Sequence, residues 1–60
     1  MIYTTAEAAT LAAQAKLARE GRPRGEVFAV FAEEDGYSVG TWPDMRVDEL
    51  PEGALIVLLP

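Results

Sequence analysis

Few residues in this sequence have side chains that could carry out covalent or metal chemistry. The 60 residues contain no cysteine and no histidine, one serine (Ser38) and one lysine (Lys16). Zinc and copper sites use thiolate or imidazole ligands, and a serine nucleophile needs a positioned base, which only Lys16 could supply. The sequence therefore predicts a protein that is not an enzyme and that holds no metal or other cofactor.

Carboxylates are the one abundant reactive group, with ten acidic residues. A pair of carboxylates could act as the acid and base of a glycosidase, but a chain of 60 residues can hardly enclose the substrate cleft. The run Glu33-Glu34-Asp35 could offer oxygens to Ca²⁺, yet the spacing of an EF-hand loop is missing. The run is more typical of a solvated turn, which leaves a binding role open.

The charge is divided unevenly along the chain. Residues 1 to 25 carry a net charge of +2, whereas residues 26 to 60 carry eight acids against Arg46 alone, a net charge of −7. Such a protein would repel phosphate backbones, so we expect no direct contact with nucleic acid. The acidic part suits a basic protein surface. The alternative is that the acids only keep the protein soluble.

Trp42 is the single tryptophan and lies near the end of the acidic stretch. Tryptophan is enriched at the centres of protein interfaces, although in so small a chain it is more often a core residue. We therefore predict a partner-binding set made of the acids in turns and loops together with this side chain. The set is Glu33, Glu34, Asp35, Trp42, Asp44, Asp48, Glu49 and Glu52.

An N-terminal helix is predicted from about Thr5 to Glu20. Thr4 and Glu7 have the spacing of a capping box, and Gly21 stands where a left-handed C-cap would. The stripe expected to face the core consists of Ala8, Leu11, Ala15 and Ala18, with Leu17 to one side. An alanine-rich stripe allows the helix to lie close to a sheet.

Three strands are expected after the helix. Glu26 to Ala32 and Tyr37 to Trp42 form a hairpin, with Asp35-Gly36 as its two-residue turn. Ala54 to Leu59 is apolar on both faces, which is typical of a central or doubly covered strand. The fold class is therefore α+β, with one N-terminal helix packed on a three-stranded antiparallel sheet, or four-stranded if Ile2-Tyr3 also pairs.

One helix covers one face of such a sheet, and the other face would expose an apolar patch. The strand alternation gives two candidates for that patch: Val27, Phe31 and Trp42, or else Phe28, Val30 and Val39. We take the first three as candidate residues for self-association, because a homodimer would cover them.

The length and composition place the chain in one domain, residues 1–60. The longest apolar run, Ala54 to Leu59, is far shorter than the roughly 20 residues needed to span a bilayer. The lack of cysteine fits a reducing compartment, and the N-terminus has no secretory pattern. We expect a cytoplasmic protein without membrane contact.

The stretch FAVFAEEDGYSVGTWPDM, Phe28 to Met45, resembles the opening hairpin of HicB-family antitoxins, with an apolar strand, an acidic Asp-Gly turn and a Pro-Asp corner. The family's Thr-x-x-Glu-Ala helix follows its hairpin, whereas the similar Thr4 to Ala9 segment precedes it here. The resemblance implies an antitoxin domain that masks a toxin.

The small size, acidic charge and lack of catalytic residues are also similar to phage anti-defence proteins of the anti-CRISPR type. That resemblance implies an inhibitor in the host-cell cytoplasm that blocks the nucleic-acid groove of a basic partner such as a Cas effector subunit. Our leading interpretation is a non-enzymatic inhibitor or binding module of this kind. The HicB-like antitoxin and a structural homodimer module are the alternatives.

Overall fold

The helix and the strands follow one another in the order that the sequence predicts. The computed structural model describes residues 1–59. Its elements are helix α1 (Ala6–Glu20), strands β1 (Glu26–Glu33) and β2 (Gly36–Pro43), a 3₁₀ segment (Asp44–Glu49) and strand β3 (Leu55–Ile56). The sheet order is β2-β1-β3 with antiparallel neighbours, and α1 packs on β1 and β2. The predicted α+β architecture, one N-terminal helix on a three-stranded antiparallel sheet, is confirmed.

The segment before the helix adds one bridge to this sheet. Tyr3 and Tyr37 exchange two backbone hydrogen bonds, of 2.7 and 2.8 Å, in an isolated antiparallel bridge. The fourth strand considered for Ile2-Tyr3 is thus reduced to a single paired residue at the open edge of β2.

The helix begins one residue later than the predicted capping box requires. Thr5, not Thr4, is the N-cap: its backbone is extended and its hydroxyl accepts a 3.1 Å hydrogen bond from the amide of Ala8. The third residue after Thr5 is Ala8, so no glutamate side chain returns the bond as in a capping box. Two adjacent threonines both offer a capping hydroxyl, and the sequence alone does not choose between them.

The two threonines provide a matched test of this cap. We expect Thr5→Ala to lower the free energy of unfolding by about 1 kcal/mol, because the Ala8 amide loses its acceptor. Thr4→Ala should change it by less than about 0.5 kcal/mol, as at other surface positions. Urea denaturation followed by circular dichroism measures both. A larger loss for Thr4→Ala than for Thr5→Ala would show that Thr4 is the N-cap, as the capping box predicts.

The buried face of α1 differs from the predicted stripe. Ala9 and Ala13 are fully buried, and Leu17, one turn further on, packs against the core. Leu11 is 61% exposed, and Ala15 and Ala18 are also exposed. Alanines occur on several sides of this helix, so their spacing does not select a face. The buried face is instead selected by contact with the large side chains of the sheet.

The hairpin turn lies one residue earlier than predicted. Glu33 pairs with Gly36, so the two turn residues are Glu34 and Asp35 rather than Asp35 and Gly36. An Asp-Gly turn of type I′ would need positive φ at both residues, whereas here only Gly36 has a positive φ, of 151°. The observed cross-strand register differs from the predicted one by two residues. Because side chains alternate between the faces with a period of two, each residue stays on its predicted face.

Strand β1, not the C-terminal strand, is the centre of the sheet. β2 pairs along one side of β1 and β3 along the other, so the predicted central strand is a two-residue edge strand. β1 is buried on both faces: Phe28 and Val30 lie under α1, and Ala29 is buried on the opposite side. The core under the helix consists of Ala9, Ala13, Phe28, Val30 and Val57.

The face of the sheet away from α1 carries the 3₁₀ segment. This segment contacts β1 and β2 and, within residues 1–59, does not contact α1. The indole N–H of Trp42 donates a 2.6 Å hydrogen bond to the carbonyl of Arg46 in the segment. Val27, Phe31 and Trp42 are therefore partly buried on this face. The second face is thus less exposed than the sequence predicts for a sheet covered by one helix.

Candidate binding surface

The hairpin tip gathers three acids that form no ion pair with residues 1–59. Glu33 ends β1, and Glu34 and Asp35 form the exposed turn, a group that we call the tip acids. The three ion pairs among residues 1–59 involve other acids, so the tip acids have no salt-bridge partner in this part of the chain. Uncompensated charge at a protruding turn creates a local negative potential.

The single serine, Ser38, is hydrogen-bonded to one of the tip acids. Its hydroxyl donates a 2.8 Å hydrogen bond to the carboxylate of Glu33 across the hairpin. Ser38 lies on the same face as Phe31, whereas Lys16 lies over the Phe28 ring, 5.8 Å from its centroid, on the helix side. The sheet thus separates the one serine from the one lysine.

Glu52 belongs to the same end of the molecule as the tip acids. It precedes Gly53, where an added Cβ would lie 3.2 Å from the Cβ of Ala32, close to the end of β1. Glu52 is exposed and forms no ion pair with a described residue. Four of the predicted partner-binding acids therefore share one end of the sheet.

The remaining predicted acids, Asp44, Asp48 and Glu49, lie in the 3₁₀ segment, and we call them the connector acids. Asp44 accepts a 2.9 Å contact from the Arg22 guanidinium, and its amide donates to the carbonyl of Gly25. Glu49 pairs with Arg46 at 3.2 Å. Two of these three charges are thus compensated within the chain, unlike the charges at the tip.

Trp42 does not join the tip. It pairs with Val27 at the far end of the hairpin, and β2 runs from Gly36 to Pro43, a length of about 23 Å at the usual rise per residue. The Phe31 and Trp42 rings pack with centroids 6.2 Å apart, and the indole N–H is already bonded within the chain. The predicted partner-binding set is thus split between two regions, the tip and the base of the hairpin.

The sequence interpretation missed an exposed apolar border along β3. Leu55, Ile56, Leu58 and Leu59 are all at least one-third exposed, and the last two border an apolar groove of about 300 Å³ beside Leu17 and Phe28. The signal was present, since Ala54 to Leu59 is apolar throughout. Such a pattern predicts central burial, whereas the structure places the segment at an edge of the sheet.

No helix among residues 1–59 is long and apolar enough to cross a membrane. Within the same residues, no group of three or more acidic side chains is arranged to hold a metal ion.

Comparisons with protein-family models, with curated proteins and with solved structures found no match to this chain. Its function therefore has to be argued from the residues themselves.

Proposed function

We propose that the protein is a non-enzymatic binding module that docks the hairpin tip onto a basic protein surface. The observation that carries the proposal is that Glu33, Glu34 and Asp35 form no ion pair with any of residues 1–59, whereas two of the three connector acids do. Carboxylates that are already paired gain little from a new cation. Carboxylates without an ion pair at an exposed turn can meet arginine or lysine without first breaking a salt bridge.

The rigidity of the tip supports the same proposal. The tip acids lie at the end of two fully paired eight-residue strands, and Ser38 holds one carboxylate of the group in place. Ordering charged side chains in advance lowers the entropy that binding must overcome. A basic partner would therefore meet a preformed group of charges.

Within this class we favour an inhibitor that hinders nucleic-acid binding by its partner. A surface that normally holds phosphates is basic, and a fixed group of carboxylates can occupy it in their place. A phage protein of the anti-CRISPR type acting on a Cas effector subunit fits this chemistry. The alternative is a HicB-like antitoxin domain masking a toxin, which the antiparallel hairpin formed by β1 and β2 favours.

Two matched triple variants test the role of the tip. The first, E33Q/E34Q/D35N, and the second, D44N/D48N/E49Q, each remove three negative charges. We expect the first to reduce the association rate with a partner captured from host lysate by about tenfold or more at low salt, because steering depends on exposed charge. The second should have a much smaller effect. Surface plasmon resonance at two salt concentrations measures both.

The same experiment can contradict the proposal. Equal association rates for wild type and the tip variant would show that the tip acids are not part of the interface. A larger loss with the connector variant would move the interface to the base of the hairpin, beside Trp42. Binding that does not weaken with salt would argue against a charged interface altogether.

A further inference from the structure

The outer edge of β3 has backbone groups that are directed away from the sheet. The amide of Val57 donates a 2.9 Å hydrogen bond to the carbonyl of Phe28, so the Val57 N–H points toward β1. Successive residues of a strand direct their amides to opposite sides, and Ile56, opposite Ala29, therefore directs its N–H and C=O away from β1. No described strand lies on that side of β3.

The side chains of residues 54 to 59 do little to prevent pairing at this edge, although the Gln14 amide on α1 already donates a 3.0 Å hydrogen bond to the Leu58 carbonyl. Exposed edges in natural proteins usually carry lysine, inward charges or bulges that prevent the addition of another strand. Residues 54 to 59 contain no charged side chain, and Leu55, Ile56, Leu58 and Leu59 are exposed. An open, uncharged apolar edge is a template for one more strand.

We propose that a second copy of this chain occupies the edge, with the two β3 strands antiparallel about a two-fold axis at Ile56. The Ile56 N–H and C=O of each copy then bond those of Ile56 of the partner subunit, giving a six-stranded sheet. Ala54 lies opposite Leu58 of the partner subunit, so that a small side chain faces a large one. The Ala54 N–H and the Leu58 C=O are already bonded within the chain, to Pro51 and Gln14, so the central Ile56 pair carries most of the backbone contact. An uncharged edge is complementary to its own copy, whereas a basic partner would gain nothing from it.

The geometry also limits repulsion between two chains that each carry a net charge of −5. β1 is antiparallel to β3 in each copy, so an antiparallel β3 pair places the two hairpin tips at opposite ends of the joined sheet. The distance between the two tips exceeds the screening length of about 8 Å at physiological salt, so their mutual repulsion is largely screened. The dimer therefore leaves both sets of tip acids free and makes the protein bivalent.

Sedimentation velocity over a concentration series tests this arrangement. We expect a dimer that forms weakly, in the micromolar to sub-millimolar range, because the interface is small. Ile56→Glu should raise the dissociation constant by about 100-fold or more, since it removes two apolar side chains and opposes two carboxylates. Val47→Glu is the control: Val47 is 38% exposed and Ile56 is 36% exposed, and both variants add one negative charge.

A backbone variant separates loss of the dimer from loss of the fold. The 60-residue chain is short enough for chemical synthesis with an N-methyl group on Ile56. The methyl group blocks the outward N–H and leaves the β1–β3 hydrogen bonds in place, so the fold should persist, by circular dichroism, while the dimer is lost. In the wild type, hydrogen exchange at the Ile56 amide should slow as protein concentration rises.

Three results would overturn the proposal. The first is a wild-type monomer at about 1 mM, where even a weak dimer of this size should form. The second is a dimer that N-methylation at Ile56 leaves intact, which would locate self-association elsewhere, for example at Val27, Phe31 and Trp42. The third is dimerisation that weakens with added salt. Screening should strengthen a dimer of like-charged chains, whereas it should weaken the binding of a basic partner at the tip.

Discussion

Phe28→Ala is expected to lower the free energy of unfolding by about 3–5 kcal/mol, the usual loss for truncating a buried phenylalanine. A domain of this length has a total stability of about 3–9 kcal/mol at typical values per residue. The loss is therefore about a third or more of the total stability, and at the lower end of that range the variant is unfolded. Circular dichroism with urea denaturation of the wild type and of the variant measures the difference.

The physical reason lies in the position of Phe28 within the core. Its side chain is only 6% exposed and lies in the central strand beneath α1, in the cluster that includes Ala9, Ala13 and Val57. Two of the helix residues that face it, Ala9 and Ala13, are too short to fill the space that the ring would leave. Lys16 also lies over the ring, and its ammonium would lose that contact.

Leu11→Ala is the control for this prediction. It is also a large apolar residue, and the predicted helix stripe placed it in the core. Because Leu11 is 61% exposed, its truncation should change stability by about 0.5 kcal/mol or less. A loss of 2 kcal/mol or more, as for a buried leucine, would mean that the helix packs with its other face inward.

Gly36→Ala is expected to lower the free energy of unfolding by about 3 kcal/mol, from positive-φ strain together with a steric clash. Gly36 has a φ of 151°, which L-residues rarely adopt. An added Cβ would also overlap the carbonyl oxygen of Tyr3 and lie 2.6 Å from Cγ2 of Ile2. The bridge between Tyr3 and Tyr37 would have to open to make room.

Gly25→Ala separates the two contributions. Gly25 has a φ of 73°, but an added Cβ there would meet nothing within 4 Å. Its replacement should therefore cost only the backbone strain, about 1–2 kcal/mol. Amide hydrogen exchange at Tyr3 and Tyr37 should become fast in Gly36→Ala and stay slow in Gly25→Ala. Equal costs for the two variants would show that the bridge contributes nothing to stability.

The two proposed surfaces lie in different parts of the molecule and differ in chemistry. The tip acids form a charged surface at the end of the hairpin, and the β3 edge is uncharged and apolar. The two surfaces can therefore act together, so that one dimer presents two acidic tips to a partner with repeated basic sites. Binding through both tips would raise the apparent affinity without any new contact.

Local signals in the sequence were sufficient to locate the helix and the hairpin. The backbone hydrogen bonds of the helix, Ala6 to Glu20, are formed within the helix itself. Those of the hairpin join two strands that are adjacent in the chain, on either side of Glu34-Asp35. Strand alternation likewise sorted Phe28 and Val30 onto one face and Phe31 and Trp42 onto the other. These features depend on residues that are close in the chain, and nothing distant overrides them.

The turn, the helix cap and the helix face were only approximately predicted, because each involves a choice between near-equal options. Thr4 and Thr5 are equivalent as caps until the chain path is known. The turn could begin at Glu34 or Asp35, and the structure favours Glu34 because an Asp35-Gly36 turn of type I′ would also need a positive φ at Asp35. Alanine spacing in α1 suits several faces, and only Phe28, Val30 and Val57 select one of them.

The sequence by itself determined the α+β class, the strand faces and the concentration of acidic charge after residue 25, because composition and short-range periodicity specify these. Only the tertiary structure decided that β3 lies at an edge, that the 3₁₀ segment covers part of the second face, and that the tip acids are unpaired while two of the connector acids are paired. Strand order, cover and ion pairing join residues that are distant in the chain. A pattern in one segment cannot specify which distant segment it will meet.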